Sequence, residues 1–439
     1  MTFKIITLGC KVNIYESEVM KEKLLQAGFR ETIDNSDIVI INTCSVTNMA
    51  DVKSRKMIRR EKKENPQSIL VVCGCSAENH RLELEDLGID ILIGNKDKSN
   101  IVSLIQEYQN SHKQITKFYD TRRLPFEDME VDKFTSHTRG FIKIQDGCNN
   151  YCSYCIIPYV RGNIRSKDIN IAFEEAEKLV ANSHKEIVLT GIHTGSYGVG
   201  YDFDLVDLIN KMSTIPGLKR IRLSSIEITE LNDKFMELLK NNTILCDHLH
   251  VPLQSGSEKI LKLMNRKYDK AKYESIINQI RAIRPEISIT TDVIVGFPGE
   301  TESDFNECLD FCKKMQYAKI HVFPYSKREG TKAASMPNQL DNKTKKDRAR
   351  KLIELSNELE EAYNQKFVGR NMDVLVEEHK DGCSIGHTSN YLKVVIKGEV
   401  PTNEFYNVKI TKADTSEVTG TINWFFISTS GVFHIKFDN

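Results

Sequence analysis

Across the first 366 residues, short apolar runs alternate with helical patterns, and this alternation constrains the fold more than any other feature. Phe3 to Gly9, Asp37 to Asn42, Ser68 to Cys73 and Ile89 to Gly94 read as strands. Tyr15 to Gly28 and Asn48 to Glu64 read as helices, the second stopped by Pro66. Strand and helix in turn predict a doubly wound parallel sheet. The pattern resumes after a polar stretch, with strands at Phe141–Asp146, Glu186–Gly191, Lys219–Glu227, His248–Ser255, Ile287–Pro298 and Tyr317–Ser326. Helices fit between them at Asp168–Asn182, Phe203–Met212, Asn232–Asn242, Lys270–Ile283 and Thr301–Met315. Six such units predict an incomplete (β/α) barrel. A helix with one basic face, from Lys343 to Phe367, leads into short glycine-punctuated β-like runs: Met372–Glu377, Leu392–Ile396, Asn407–Ala413 and Glu417–Ile427. These predict a small β-barrel, which could hold nucleic acid or serve as a docking module. The fold class is α/β, with expected boundaries of 1–115, a linker at 116–136, 137–366, and 367–433. The apolar segment from Trp424 to Asn439 has no account in this scheme.

Length and charge bound the function. A chain of 439 residues calls for two or three domains. Basic and acidic residues balance at 61 each, which excludes a globally basic nucleic-acid binder but leaves local patches open. There is no apolar run of about 18 residues to span a membrane. The start, Met1-Thr-Phe-Lys, lacks a signal-peptide pattern. Eleven cysteines without a secretion signal point to the cytoplasm, where clustered thiols mean metal or catalysis.

Cys148, Cys152 and Cys155 follow the first barrel strand in a C-x3-C-x2-C spacing. Three cysteines within eight residues rarely serve packing alone. Three thiolates can hold three corners of a cubane cluster, and no fourth Cys or His follows along the loop. One iron is then free for a chelating cofactor. Cys10, Cys44 and Cys75 each lie just past a strand of the N-terminal sheet. Strand C-termini of a parallel sheet share one edge, so these three would converge as a second three-cysteine site. Cys73 competes with Cys75. Cys75 follows Gly74 as Cys10 follows Gly9, so Cys75 is chosen and Cys73 is read as core. Cys246, Cys308, Cys312 and Cys383 have no ligand-like partners.

Other residues have two readings. The strand ends Thr190-Gly191, Ser224 to Glu227, Gln254-Ser255, and Asp292 with Gly296-Phe297, are ordinary turn chemistry one at a time, but together they suggest a binding rim. The helix carrying Lys53, Arg55 and Arg59 is a solvated face or a phosphate-contacting surface. His193 and His250 are read as structural.

The cysteine loop, with Tyr154 before its last Cys, resembles the radical S-adenosylmethionine (SAM) enzymes. Leu8-Gly-Cys10-Lys-Val-Asn13, Asn42-Thr-Cys44, Gly74-Cys75, Gly147 to Pro158, Arg161-Gly162, Pro252 to Gly256, Met264-Asn-Arg266 and Gly296 to Glu300, with the C-terminal barrel, resemble the methylthiotransferase family along the whole chain. The resemblance implies two 4Fe-4S clusters, SAM contacts from Tyr154, Thr190, Gly191, Ser224, Glu227, Gln254, Ser255, Asp292, Gly296 and Phe297, and a TRAM domain. It implies substrate contacts from Asn13, Arg161, Arg266, Lys53, Arg55 and Arg59. The partners implied are a tRNA anticodon stem-loop and a small electron donor such as a flavodoxin or ferredoxin, with the enzyme a monomer. The family's branches act on isopentenyladenosine in tRNA, on an aspartate of a ribosomal protein, or on N6-threonylcarbamoyladenosine. Gly9 to Asn13 with Glu16-Ser17, and Thr190 to Tyr197, resemble the third branch most. Cys73 departs from the expected pattern. Two rivals remain: an RNA-binding module with structural metal sites, and a protein-modifying radical SAM enzyme.

Overall fold

The computed structural model describes residues 1–45, 47–134, 137–415 and 417–423. The expected strand from 417 to 427, the expected domain end at 433 and the apolar segment 424–439 lie wholly or partly outside the described residues.

Six parallel strands build the N-terminal sheet: β1 (Thr2–Thr7), β2 (Arg30–Glu31), β3 (Ile38–Thr43), β4 (Ile69–Gly74), β5 (Ile91–Ile93) and β6 (Ile115–Lys117), in the order β2-β1-β3-β4-β5-β6. Every residue of β3 is buried, as a central strand covered on both faces must be. The helices Lys11–Gln26 and Ile101–Ser111 cover one face, where Met20, Leu24, Leu104 and Ile105 meet Phe3, Ile40 and Val71. The helix Asn48–Glu64 covers the other, where Ile58 meets Val39, Ile41 and Val72. The chain first steps from β1 outward to β2, then returns to β3 and continues the opposite way. The topological switch point therefore lies between the ends of β1 and β3, where open α/β sheets bind ligands.

The central part holds β7 (Gly140–Lys143), β8 (Gln145–Asp146), β9 (Arg165–Ser166), β10 (Glu186–Thr190), β11 (Arg220–Leu223), β12 (His248–His250), β13 (Ser288–Val295) and β14 (Lys319–Pro324). Two parallel three-stranded sheets, β7-β10-β11 and β12-β13-β14, are joined by parallel bridges at Ile221–Leu245 and Ser225–His250. Together they make the open, six-stranded half-barrel. Gln145 and Asp146 do not extend β7; they pair antiparallel with Ser166 and Arg165 as β8 and β9.

The C-terminal strands β15 (Asn371–Lys380), β16 (Cys383–His387), β17 (Lys393–Lys397), β18 (Phe405–Ala413) and β19 (Val418–Ile422) close into a barrel. The barrel covers the N-terminal ends of the half-barrel strands. Arg220 and Arg222 of β11 donate there to the carbonyls of His387 and Ser389, at 3.0 and 3.1 Å. No helix among the described residues is long and apolar enough to cross a membrane.

Candidate active site

The first cysteine triad forms at the switch point. Cys10 is the extended N-cap of the Lys11–Gln26 helix, and Cys44 follows β3 directly. Cys75 opens the short helix Cys75–Asn79 after β4. Two glycines permit this convergence. A Cβ on Gly9 (φ +108°) would lie 2.7 Å from Cys44 Sγ, and one on Gly74 (φ +99°) 2.5 Å from the Thr43 carbonyl. Cys73 points the other way, into the core with Phe3 and Ile40, where burial pushes its thiol up to about 12.

Between this triad and the second lies a buried ionic hub. Arg161 is fully buried. It donates from Nε to Cys75 Sγ at 3.2 Å, from Nη1 to Glu16 Oε1 at 2.9 Å, and from Nη2 to Asn13 Oδ1 at 3.1 Å. Asn13 in turn donates to the carbonyls of Leu8 and Thr43, tying both strand ends to the hub. Glu16 also holds Lys98 and, at 2.9 Å, Lys143. Asp146 takes Lys143 at 2.7 Å, Arg161 at 3.2 Å and Arg165 at 3.3 Å. Burial works against ionisation of Glu16 and Asp146. The surrounding cations outweigh it and hold both carboxyls well below the usual carboxylate range. Asn13 and Arg161, expected to touch substrate, thus face inward.

The second triad hangs from the same hub. Asp146 Oδ1 accepts from the Gly147 amide at 2.8 Å, and the Cys148 amide donates to the Gly162 carbonyl at 3.0 Å, next to Arg161. Further along, Ser153 is pinned to Met264 and Ala333 by backbone bonds of 3.0 and 2.7 Å. Arg266 Nη1 lies 3.3 Å from Cys152 Sγ and is paired with Glu227. It is a buried partner of the loop rather than a surface cation. The His193 ring stands 3.8 Å from Cys148 Sγ and 2.5 Å from Glu230. Burial, with the neighbouring Cys152 and Cys148 adding to it, pushes the Cys155 thiol up to about 12.

Both triads suit a thiolate-bound cluster by the chemistry of their donors. Each offers three cysteine sulfurs with a guanidinium beside one of them. In the hub, the cations Lys98, Lys143, Arg161 and Arg165 face the carboxylates Glu16 and Asp146, an excess of positive charge that suits anionic thiolate ligands. No three His, Cys, Asp or Glu side chains among the described residues close into a single-ion site. A cubane spreads its protein ligands over separate corners and does not ask for one.

Several of the expected SAM contacts lie along one rim. Thr190 ends β10, Ser224 follows β11, Gln254 and Ser255 follow β12, and Asp292 lies within β13, 3.2 Å from His250. The Ser224 hydroxyl is buried without a hydrogen-bond partner, an orphan a ligand could satisfy. Gly191 abuts Gln145, whose side chain binds the carbonyls of Asp146 and Gly147 and the His193 amide. Gly296 faces Lys345, and Phe297 is wholly buried between Tyr154 and Tyr325; these two pack behind the loop. Of the helix cations, Lys53 and Arg59 point to solvent. Arg55 lines a groove of about 1060 Å³, with Asp51, His80, Tyr159 and Arg328, between the N-terminal sheet and the half-barrel. Lys98, Lys143 and Asp146, and the part of Glu16 as their ionic partner, were not foreseen, although a lysine inside the apolar run Phe141 to Ile144 was a visible signal.

Three family models match the chain: the radical SAM superfamily over residues 142–312, an uncharacterized protein family, UPF0004, over 2–94, and the TRAM domain over 365–422. A relative in Bacillus subtilis named threonylcarbamoyladenosine tRNA methylthiotransferase MtaB is 40% identical over 419 residues, covering 93% of each chain. One of the same name in Thermotoga maritima is 36% identical, covering 93% of this chain and 94% of its own. A tRNA-2-methylthio-N(6)-dimethylallyladenosine synthase of Acetivibrio thermocellus is 33% identical, over 95% and 90%. Among solved structures, the radical SAM methyltransferase TsrM of Kitasatospora setae, with cobalamin and a [4Fe-4S] cluster bound, superposes with a TM-score of 0.55 over 76% of each chain at 15% identity, a likeness of fold.

Proposed function

The chain belongs to the MtaB-type radical SAM methylthiotransferase family, and from that membership we propose that it transfers a methylthio group to C2 of N6-threonylcarbamoyladenosine at position 37 of tRNA, using two SAM per turnover. Adenine C2 is an unactivated sp2 carbon that acid–base catalysis cannot open, whereas a radical can.

Cys148, Cys152 and Cys155 would hold one 4Fe-4S cluster and Cys10, Cys44 and Cys75 the other. When bound, the first would provide the electron for reductive cleavage of SAM, and the second would present the sulfur to be transferred. The chain's residues do the positioning. Asn13 ties the β1 and β3 ends together. Arg161 links Cys75 to the carboxylate that caps the Cys148 loop. Arg266 and Glu227 brace Cys152, and Thr190, Ser224, Gln254 and Asp292 offer polar groups to SAM along the rim. The observation that carries the two-cluster reading is that one buried guanidinium touches Cys75 while its other arm engages the start of the second loop. A small flavodoxin- or ferredoxin-like donor would supply electrons. One chain carries both triads, so a monomer suffices.

Nucleoside mass spectrometry of tRNA from cells with and without the protein tests this. The 2-methylthio derivative of N6-threonylcarbamoyladenosine should vanish with the protein. Loss instead of methylthio-isopentenyladenosine, or of methylthio-aspartate in a ribosomal protein, would assign the chain to another substrate.

A further inference from the structure

Beside the Cys148 loop, two tyrosines stand out into solvent. Tyr151 and Tyr159 are 42% and 54% exposed, with ring centroids 5.9 Å apart and planes at 80°. Neither ring is there to fill a core. Tyr151 holds a left-handed backbone (φ 46°), which costs a bulky residue free energy. Asn265 keeps it there by donating to its carbonyl at 2.9 Å. A strained backbone that presents an aromatic ring to solvent, one residue before a cluster cysteine, calls for a ligand.

The segment expected to be only a linker supplies the second component. Thr121–Arg123 forms a helical turn docked on the end of the Tyr159 helix, Ile157–Arg161. Arg165 Nη1 donates to the Thr121 carbonyl at 3.3 Å, and Asn163 Nδ2 to the Arg122 carbonyl at 3.0 Å. The turn is thereby fixed while its cations face solvent: the Arg122 and Arg123 side chains are 70% and 89% exposed. Arg122 forks onto Asp120 from Nε and Nη2 at 3.0 and 3.3 Å and Arg123 lies 3.7 Å from it, so one carboxylate faces two guanidinium groups and the turn keeps a net positive charge.

We propose that Tyr151, Tyr159, Arg122 and Arg123 form a lip that grips single-stranded RNA at the mouth of the site, the tyrosines stacking unpaired bases and the arginines meeting phosphates. Rings on which any base can stack, with cations beside them, are how proteins hold unpaired RNA. The target base must leave its stack to reach the rim, and a lip beside the cluster loop would hold the bases left behind. This inference rests on the tRNA reading above.

The test uses anaerobically reconstituted holoenzyme and a synthetic anticodon stem-loop carrying N6-threonylcarbamoyladenosine, with each variant compared at wild-type iron content. Tyr151→Leu and Tyr159→Leu should each weaken RNA binding roughly tenfold, within the contribution of one stacked base. Tyr151→Phe, which keeps the ring, should bind as wild type. In Arg122→Gln/Arg123→Gln, the slope of log K against log salt should shrink by about 1.4, at about 0.7 per phosphate contact on a single strand. Wild-type affinity and slope in the Leu and Gln variants would overturn the lip while leaving the substrate reading intact. A wild-type enzyme that methylthiolates no such RNA would instead overturn the reading beneath it.

Discussion

Glu16 receives Lys98, Lys143 and Arg161 at one fully buried carboxylate. Glu16→Gln removes that charge and leaves the cations facing one another, which should destabilise the protein by about 3–5 kcal/mol at neutral pH in denaturant unfolding. The pH dependence has a definite sign. The folded-state carboxyl lies well below the unfolded value of about 4.3, so its contribution is complete above that pH and is lost as the medium acidifies below it. The gap between wild type and Glu16→Gln should therefore narrow between about pH 4 and 2; a gap independent of pH would show that the carboxylate is not what the hub uses. Cys73 and Cys75 allow a second comparison. Cys75→Ala should lose about half of the reconstituted iron, and Cys73→Ala nearly none. Residue types were legible where spacing repeats, as in Gly9-Cys10 and Gly74-Cys75. The hub was not, because a buried ion pair joins residues more than a hundred positions apart, such as Glu16 and Arg161, and leaves no periodicity.

At the level of elements, the turn after β1 is the tightest point of the site. Gly9→Ala places a methyl group within 2.7 Å of Cys44 Sγ in a backbone conformation that alanine rarely adopts. Iron loading of the first triad should fall, and methylthio product with it, while SAM cleavage at the second triad continues; assays for iron and 5′-deoxyadenosine together check this. The strands and helices followed from hydrophobic alternation, with characteristic errors. The first helix starts at Lys11 rather than Tyr15, because its opening residues bury polar groups such as Asn13 and Glu16 instead of an apolar stripe. β16 was missed because Ser384 and Gly386 interrupt a five-residue strand whose place is set by its barrel neighbours. Gln145 and Asp146 read as strand, yet they turn away to shape the cysteine loop.

At the scale of the whole molecule, the α/β sheet, half-barrel and small barrel were legible because each has its own pattern of run lengths and glycines. Their mutual seating was not, because it depends on side chains that reach across: Arg161 from half-barrel to sheet, and Arg220 and Arg222 from half-barrel to C-terminal barrel. That seating brings two cysteine triads to one buried hub, and the central claim is that they do different work. Anaerobic turnover of Cys10→Ala with SAM, reductant and N6-threonylcarbamoyladenosine stem-loop RNA tests it most directly. 5′-Deoxyadenosine should still form while no methylthio nucleoside appears; methylthio product at the wild-type rate would show that the two triads do not divide the work.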